Sequence, residues 1–126
     1  MPGVFEICVE TQFSAAHSLT GYQGNCAQVH GHNWIVEVFV KCLELNNIGI
    51  GIDFRDIRQA VKIIINDLDH SCLNEHTEFK YTNPSSENIA RFLYRELGKA
   101  INSVNVKVSK VKVSETRSAG AYYWEE

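Results

Sequence analysis

The segment NCAQVHGHNW, residues 25–34, carries a cysteine and two histidines at a spacing that could bind a metal ion. Alternate residues of a β-strand point to the same face, so His30 and His32 would project side by side with Gly31 between them. An H-x-H pair alone is weak evidence, because two surface or pocket histidines have the same spacing. A metal site therefore needs a third ligand from elsewhere in the chain.

A third histidine strengthens the prediction of a metal site. His17 closes the segment FSAAH at the end of the first predicted strand, and the following loop returns to His30. Residues that flank the loop of an antiparallel hairpin lie close together, so His17, His30 and His32 should meet at one end of the sheet. Three neutral nitrogen ligands suit zinc and leave a fourth position open for water or substrate, as in catalytic zinc sites.

Cys26 lies in the same loop and allows two interpretations. As a fourth ligand it would close a structural site of one cysteine and three histidines, and its spacing permits this. A chain of 126 residues can bury enough core to fold without a metal, which argues against a purely structural ion. A thiol beside a dication and imidazoles should have a lowered pKa, which would make it a usable base or nucleophile at neutral pH.

Further titratable side chains follow later in the chain. Asp69 and His70, in LDHSCLN, could form a proton shuttle; alternatively, Asp69 caps the loop and His70 is an exposed residue at a helix end. Glu115 ends an alternating apolar strand and should share the face of its valines. A carboxylate on an apolar face needs partners, which could be Arg117 or two N–H donors on the edge of a guanidine-like ring.

The elements that would position these residues are two strands, two helices and two further strands. Alternation of apolar and polar residues predicts strands at about residues 5–13, 29–43, 104–115 and 121–124. The alternation changes phase near Ser109, which predicts a β-bulge there. The first two strands should pair antiparallel.

Apolar residues three or four positions apart predict the two helices. Asp53 is a plausible N-cap of the first helix, which would continue to about Leu68. Asn83 is a plausible N-cap of the second, with Pro84 at the first helical position. The predicted buried stripes are Phe54, Ile57, Val61, Ile64 and Leu68 on the first helix and Ile89, Leu93, Leu97 and Ile101 on the second.

These elements predict an α+β fold, a four-stranded antiparallel sheet with two helices on one face, as a single domain over residues 1–126. The other face and the free strand edges need cover. An oligomer that closes its sheets into a barrel would supply it.

Composition excludes several classes of protein. The net charge of −3 and the absence of a basic stripe disfavour binding to nucleic acid. No apolar run has the length of a membrane span, and the N-terminus does not resemble a signal peptide, so a cytoplasmic protein is expected. The cysteines should then be reduced thiols, and Cys8, Cys42 and Cys72 are expected to be small core residues.

Five motifs, in order along essentially the whole chain, resemble the 6-pyruvoyltetrahydropterin synthase superfamily. They are FSAAH, CAQVHGHNW, LDH, NPSSEN and SETRSAG. The resemblance is strongest to the bacterial branch that makes 6-carboxy-5,6,7,8-tetrahydropterin. It implies the tunnelling fold, in which trimers close their sheets into barrels and two trimers stack as a homohexamer.

The resemblance also implies a role for each candidate residue. Zinc would be bound by His17, His30 and His32, and Cys26 would be the base that abstracts a proton. The tail ETRSAGAYYWEE is more similar to the carboxy branch, and a cysteine at this spacing argues against the subfamilies that use a glutamate in its place.

The remaining implied roles concern proton relay and pterin binding. Asp69 and His70 would form the relay, with the aspartate supplied either by the same subunit or by another one. Glu115 would anchor the pterin through its two oxygens, and some descriptions of the family count it in the relay. Ser85 and Ser86 would contact the pterin from a neighbouring subunit, although many relatives have threonine there.

The implied substrate is 7,8-dihydroneopterin triphosphate, with zinc acting as a Lewis acid on its side-chain hydroxyls. The carboxy branch cleaves the side chain and releases acetaldehyde and triphosphate on the path to queuosine. The pyruvoyl branch eliminates triphosphate and keeps the carbons, on the path to biopterin. A non-catalytic, zinc-stabilised module is the alternative from another class of protein.

Overall fold

Two long antiparallel strands form the centre of the fold. In the computed structural model, which describes residues 3–21 and 28–126, strand β1 runs from Phe5 to His17 and β2 from His30 to Cys42. They pair along their full length, with Phe5 opposite Cys42 and His17 opposite His30. The first strand is thus longer than the prediction of residues 5–13, and the extension carries FSAAH into the sheet.

The other described elements surround this hairpin in chain order. They are α1 (Phe54–Ile65), β3 (Ser71–Cys72), α2 (Ser86–Ile101), β4 (Val106–Thr116) and β5 (Ala119–Tyr123), with short 3₁₀ turns at Leu73–Glu75 and Thr77–Phe79. The strand order in the sheet is β3-β1-β2-β4-β5. The α+β class and the two helices are confirmed.

The prediction of a four-stranded antiparallel sheet is wrong because of β3. This strand pairs parallel to β1, with Ser71 opposite Ala15 and Cys72 opposite Ala16, which makes the sheet five-stranded and mixed. Two residues are too few to show an alternating pattern. Their pairing depends on where the chain returns after α1, which the local sequence does not reveal.

One face of the sheet packs against both helices and forms the core. The core-facing side chains of β2 are Trp34, Val36, Val38 and Val40, and those of the helices include Ile57, Val61, Ile89, Leu93 and Leu97. Burial of each large aliphatic side chain contributes about 1.5–3 kcal/mol. Two expectations fail: Phe54 is 59% exposed, and Cys8 lies on the exposed sheet face because it has the opposite parity to Val9.

A β-bulge in β4 confirms the predicted change of phase near Ser109. The register of β4 against β2 shifts between Phe39 and Val40, and the Ser109 hydroxyl donates to the Phe39 carbonyl at 3.1 Å. Val108 is buried before the shift and Val111 after it, so the buried parity changes from even to odd. This change places Glu115, further along β4, on the face that carries the core.

The N-cap of α1 is the predicted one, but its end is not. Asp53 accepts a hydrogen bond from the Arg55 N–H at 2.8 Å, and the helix stops at Ile65 instead of Leu68. Leu68 is nevertheless fully buried, because the turn that follows the helix continues along the core. Apolar spacing alone does not distinguish a helical residue from one in a turn packed on the same core.

The predicted N-cap of α2 is wrong. Ser85 caps this helix by accepting a hydrogen bond from the Asn88 N–H at 3.2 Å, so Pro84 precedes the helix. Asn83 cannot serve as the cap because its side-chain amide binds the backbone of Thr20.

In the described part of the chain, no helix has the length and apolar character needed to cross a membrane.

The sheet face opposite the helices carries cationic and aromatic side chains. The Lys110 ammonium lies 4.8 Å from the Phe39 ring centroid, 5.6 Å from the Tyr122 centroid and 3.6 Å from a carboxylate oxygen of Glu6. Within the described residues, neither helix covers this face.

Candidate metal centre

Three histidines converge at the end of the β1–β2 hairpin. The pairing of His17 with His30 places two of them opposite each other, and His32 follows on the same face of β2. One ligand atom from each lies within 4.8 Å of the others. The group could therefore hold a metal ion, as the spacing predicted.

Two backbone carbonyls set the tautomers of His17 and His30. The Nδ1 of His17 lies 2.7 Å from the Pro84 carbonyl oxygen, and that of His30 lies 2.7 Å from the Gln28 carbonyl oxygen. A carbonyl oxygen can only accept, so both Nδ1 atoms carry the proton. In the neutral rings both Nε2 lone pairs are then free, which is the orientation that outer hydrogen bonds give to metal-ligating histidines.

The free nitrogens point at one another in a way that fits a cation. His17 Nε2 and His30 Nε2 are 3.1 Å apart, a distance at which two lone pairs repel unless a positive charge lies between them. The Nε2 of His32 is buried and has no hydrogen-bond partner among the described residues. Buried polar atoms are rarely left unpaired, so this nitrogen also fits the role of a metal ligand. The donor set suits zinc.

Burial favours the metal-binding form of His17. Removal from solvent lowers the pKa of the His17 ring, and the neighbouring His30 lowers it further, while the Pro84 carbonyl opposes them. A lowered pKa keeps the imidazole neutral at neutral pH, and only the neutral ring can bind a metal.

Glu115 reaches the same place from β4. Its two carboxylate oxygens lie 3.7 Å from His17 Nε2 and 3.7 Å from His32 Nε2. Within the described residues it forms no ion pair with Arg117, so the geometry does not support the structural alternative. Its side chain is 32% exposed, which leaves part of the carboxylate accessible to a ligand.

Trp34 forms the floor of the site and was not predicted. Its ring is fully buried and meets the rings of His17 and His32 edge to face, with centroid distances of 4.8 and 5.2 Å. Its indole N–H donates to the Ala15 carbonyl at 3.2 Å. Strand parity was a usable signal, because Trp34 follows His32 by two residues.

Asp69 and His70 contact each other, as the proton-shuttle interpretation requires. An Asp69 oxygen lies 3.0 Å from His70 Nδ1 and accepts a hydrogen bond from the Ser14 N–H at 2.8 Å. The Ser14 N–H, and then His70, lower the pKa of Asp69. His70 has a positive φ of 57° and an 81% exposed side chain. No described hydrogen bond or ion pair joins this pair to the three histidines.

The other predicted site residues are not part of this cluster. Ser85 uses its hydroxyl oxygen to cap α2, and Ser86 is only 9% exposed. Cys26 lies outside the described residues, so its role stays a prediction. The structure thus brings together His17, His30, His32 and Glu115.

Comparisons with known proteins agree over nearly the whole chain. Residues 6–126 match the family model described as 6-pyruvoyl tetrahydropterin synthase. A protein of Archaeoglobus fulgidus, provisionally named 6-carboxy-5,6,7,8-tetrahydropterin synthase, is 39% identical over 105 residues, which cover 82% of this chain and 86% of the relative. The Bacillus subtilis 6-carboxy-5,6,7,8-tetrahydropterin synthase is 28% identical over 126 residues, covering 96% and 84%.

The fold has a solved counterpart. The structure of Caenorhabditis elegans 6-pyruvoyl tetrahydropterin synthase superposes with a TM-score of 0.85 and 24% identity, covering 98% of this chain and 97% of that one. At this identity the likeness concerns the fold alone.

Replacing His32 by alanine should lower the affinity for Zn²⁺ by at least about 100-fold, because loss of a direct ligand should exceed the 10–100-fold effect of an outer-shell partner. Competition with a chromophoric chelator measures this change. His70→Ala is the control and should bind zinc like the wild type. Unchanged affinity in His32→Ala, or an equal loss in His70→Ala, would contradict the assignment.

Replacing Asp69 by asparagine should give a pH-dependent loss of stability. A lowered pKa means that the charged carboxylate stabilises the fold above its ordinary pKa of about 3.9, and this stability is lost as the pH falls through the lowered value. The variant keeps an oxygen for the Ser14 N–H but loses the charge. Its Tm should be below that of the wild type at pH 7, and the difference should shrink below about pH 4.

Thermal unfolding of both proteins with a chelator present, between neutral and acidic pH, tests this prediction without a contribution from bound metal. The control is Asp67→Asn, which removes an exposed carboxylate from the same turn. A difference in Tm that does not vary with pH would show that the charge of Asp69 is not responsible.

Proposed function

Because the chain belongs to the 6-pyruvoyl tetrahydropterin synthase family, we propose that it is a zinc-dependent lyase that acts on 7,8-dihydroneopterin triphosphate. The names of its relatives favour the carboxy branch. The products would then be 6-carboxy-5,6,7,8-tetrahydropterin, acetaldehyde and triphosphate, in queuosine biosynthesis. The alternative is the pyruvoyl reaction, which eliminates triphosphate from the same substrate.

The observation that carries this proposal is the convergence of three imidazole nitrogens beside a carboxylate at the end of the β1–β2 hairpin. His17, His30 and His32 would hold the zinc through Nε2. When bound, zinc supplies Lewis-acid polarisation of the hydroxyl groups of the substrate, which acidifies the neighbouring C–H bonds.

Proton removal is assigned to Cys26, whose Sγ would take a proton from a carbon of the substrate side chain. The assignment rests on the motif CAQVHGH and on the lower pKa expected of a thiol near cationic groups. Cys8 offers a contrast, because partial burial and then Glu37, Glu10 and Glu6 raise the pKa of its thiol. A raised pKa keeps that thiol protonated at neutral pH.

Asp69 and His70 are proposed as the relay that returns a proton. The Asp69 carboxylate, fixed by the Ser14 N–H, faces His70 Nδ1 and would keep a proton on that nitrogen. His70 Nε2 is then the atom that accepts or donates a proton. The largely exposed imidazole supports a site shared between copies of the chain. In such a site, His70 of one subunit would exchange a proton with substrate bound at the three histidines of another subunit.

Glu115 is proposed as the pterin anchor, with its two oxygens accepting a ring N–H and the exocyclic amine. Its partial exposure supports this role. Ser85 and Ser86 are proposed to contact the pterin from a neighbouring subunit. The Ser85 hydroxyl oxygen accepts a hydrogen bond from the Asn88 N–H at the start of α2, so its hydroxyl proton can be donated to a ligand. Such sharing suits a homohexamer built as a dimer of trimers.

The decisive experiment is mass analysis of the products formed from 7,8-dihydroneopterin triphosphate by the zinc-loaded protein. Acetaldehyde with a carboxypterin would support the carboxy reaction, and a pterin with its three-carbon side chain would support the pyruvoyl reaction. Cys26→Ala should keep its zinc and lose turnover, whereas Cys8→Ala should behave like the wild type. No turnover by the wild type, with loss of zinc and unfolding in Cys26→Ala, would instead indicate a structural zinc module.

Replacing Glu115 by glutamine should weaken pterin binding by about 10–100-fold, because one hydrogen bond to a charged acceptor is lost. Zinc should be retained, since its three histidine ligands are intact. Titration of the zinc-loaded protein with neopterin measures the affinity. Glu10→Gln, on the opposite face of the sheet, is the matched control. Equal affinities in the two variants would exclude Glu115 as the anchor.

A further inference from the structure

Two asparagines hold the chain immediately after His17. The side-chain amide of Asn74 accepts from the Ser18 N–H at 2.9 Å and donates to the Ser18 carbonyl at 2.9 Å. The amide of Asn83 accepts from the Thr20 N–H at 2.9 Å and donates to the Thr20 carbonyl at 2.9 Å. Each amide therefore satisfies both backbone polar groups of one residue, as a neighbouring strand would.

These contacts begin where regular strand pairing ends. The pairing of β1 with β2 stops at His17, and its pairing with β3 stops at Ala16. Residues two apart on an extended chain direct their N–H and C=O groups to the same side. Ser18 has this spacing from Ala16, so the Asn74 amide continues the β3 edge of β1 beyond its last strand partner, and the Asn83 amide holds Thr20, which lies in a turn.

The same segment also holds the imidazole of His17. The Pro84 carbonyl, next to Asn83 in sequence, accepts the Nδ1–H of that ring at 2.7 Å. The position of His17 thus depends on two kinds of contact, all made by residues 74–84. One kind holds the backbone of the residues just after His17, and the other holds the His17 ring itself. We propose that Asn74 and Asn83 are positioning residues of the metal centre, which fix the backbone on which His17 Nε2 is aimed at the ion.

Asn105 provides a matched comparison within the same chain. Its amide accepts from the N–H groups of Leu43 and Glu44 at 3.1 and 2.9 Å, and donates to the Glu44 carbonyl at 2.8 Å. We call each of these asparagine amides, bound to the backbone of a distant segment, a clamp. The Asn105 clamp holds the chain just after β2, whose last residue, Cys42, pairs with Phe5 at the end of the hairpin opposite His17. It makes the same kind of hydrogen bonds as the Asn74 and Asn83 clamps but lies far from the histidines.

The test compares Asn74→Ala, Asn83→Ala and Asn105→Ala. Each loses one clamp and should lower the Tm of the metal-free protein by a similar amount, about 5 °C. Only Asn74→Ala and Asn83→Ala should also lower the affinity for Zn²⁺ and Co²⁺, by about 10–100-fold. Their visible Co²⁺ absorption, measured at saturation, should differ from that of the wild type, because a displaced His17 changes the geometry of the ligands.

Metal affinity equal to that of the wild type in Asn74→Ala and Asn83→Ala would overturn the inference. An equal loss of metal affinity in Asn105→Ala would also overturn it, because the loss would then follow from lower stability in general. If an alanine variant does not fold, Asn74→Gln or Asn83→Gln keeps the amide but displaces it by one methylene, and should fold with weakened metal binding. The inference rests on the proposed zinc site. Failure of the wild type itself to bind Zn²⁺ or Co²⁺ overturns both, whereas failure confined to the variant comparison overturns the inference alone.

Discussion

The register between β1 and β2 aligns the three histidines of the site. His17 meets His30 only because the two strands pair over their full length without a shift. A slip of one residue would turn the side chains of one strand to the other face. His32 and Trp34, which follow His30 at intervals of two, would then no longer share a face with His17. The buried valines of β2 favour the observed register, so the packing of the core also aligns the histidines.

A second register device brings the carboxylate to the histidines. Without the bulge near Ser109, the even-numbered residues of β4 would stay on the core face and Glu115 would point away from it. The extra residue reverses the parity, so Val111, Val113 and Glu115 follow one another on the inner face. The local irregularity of one strand therefore determines which chemical groups meet 3.7 Å apart at its far end.

The parts of the fold and site that could be predicted are those encoded in local periodicity. Alternation predicted the hairpin, the bulge and the convergence of His17, His30 and His32, while ordered motifs pointed to the family. The missed features depend on residues distant in sequence. β3 is too short to show a period, and the Pro84 carbonyl that orients His17 has no side-chain signal. Asn83 resembles a helix cap until Thr20, 63 residues earlier, is seen to bind its amide.

The chain that follows α1 completes one edge of β1 by three different means. At Ser14 the Asp69 carboxylate and the His70 N–H bind the backbone in place of a strand. Strand β3 then pairs with Ala15 and Ala16 through Ser71 and Cys72. Beyond His17 the side-chain amides of Asn74 and Asn83 bind the backbone of Ser18 and Thr20. An unpaired edge exposes backbone groups that need partners. Because this segment holds the proposed relay at one end and the proposed metal ligand His17 at the other, its displacement should disturb both the proposed proton transfer and the proposed metal binding.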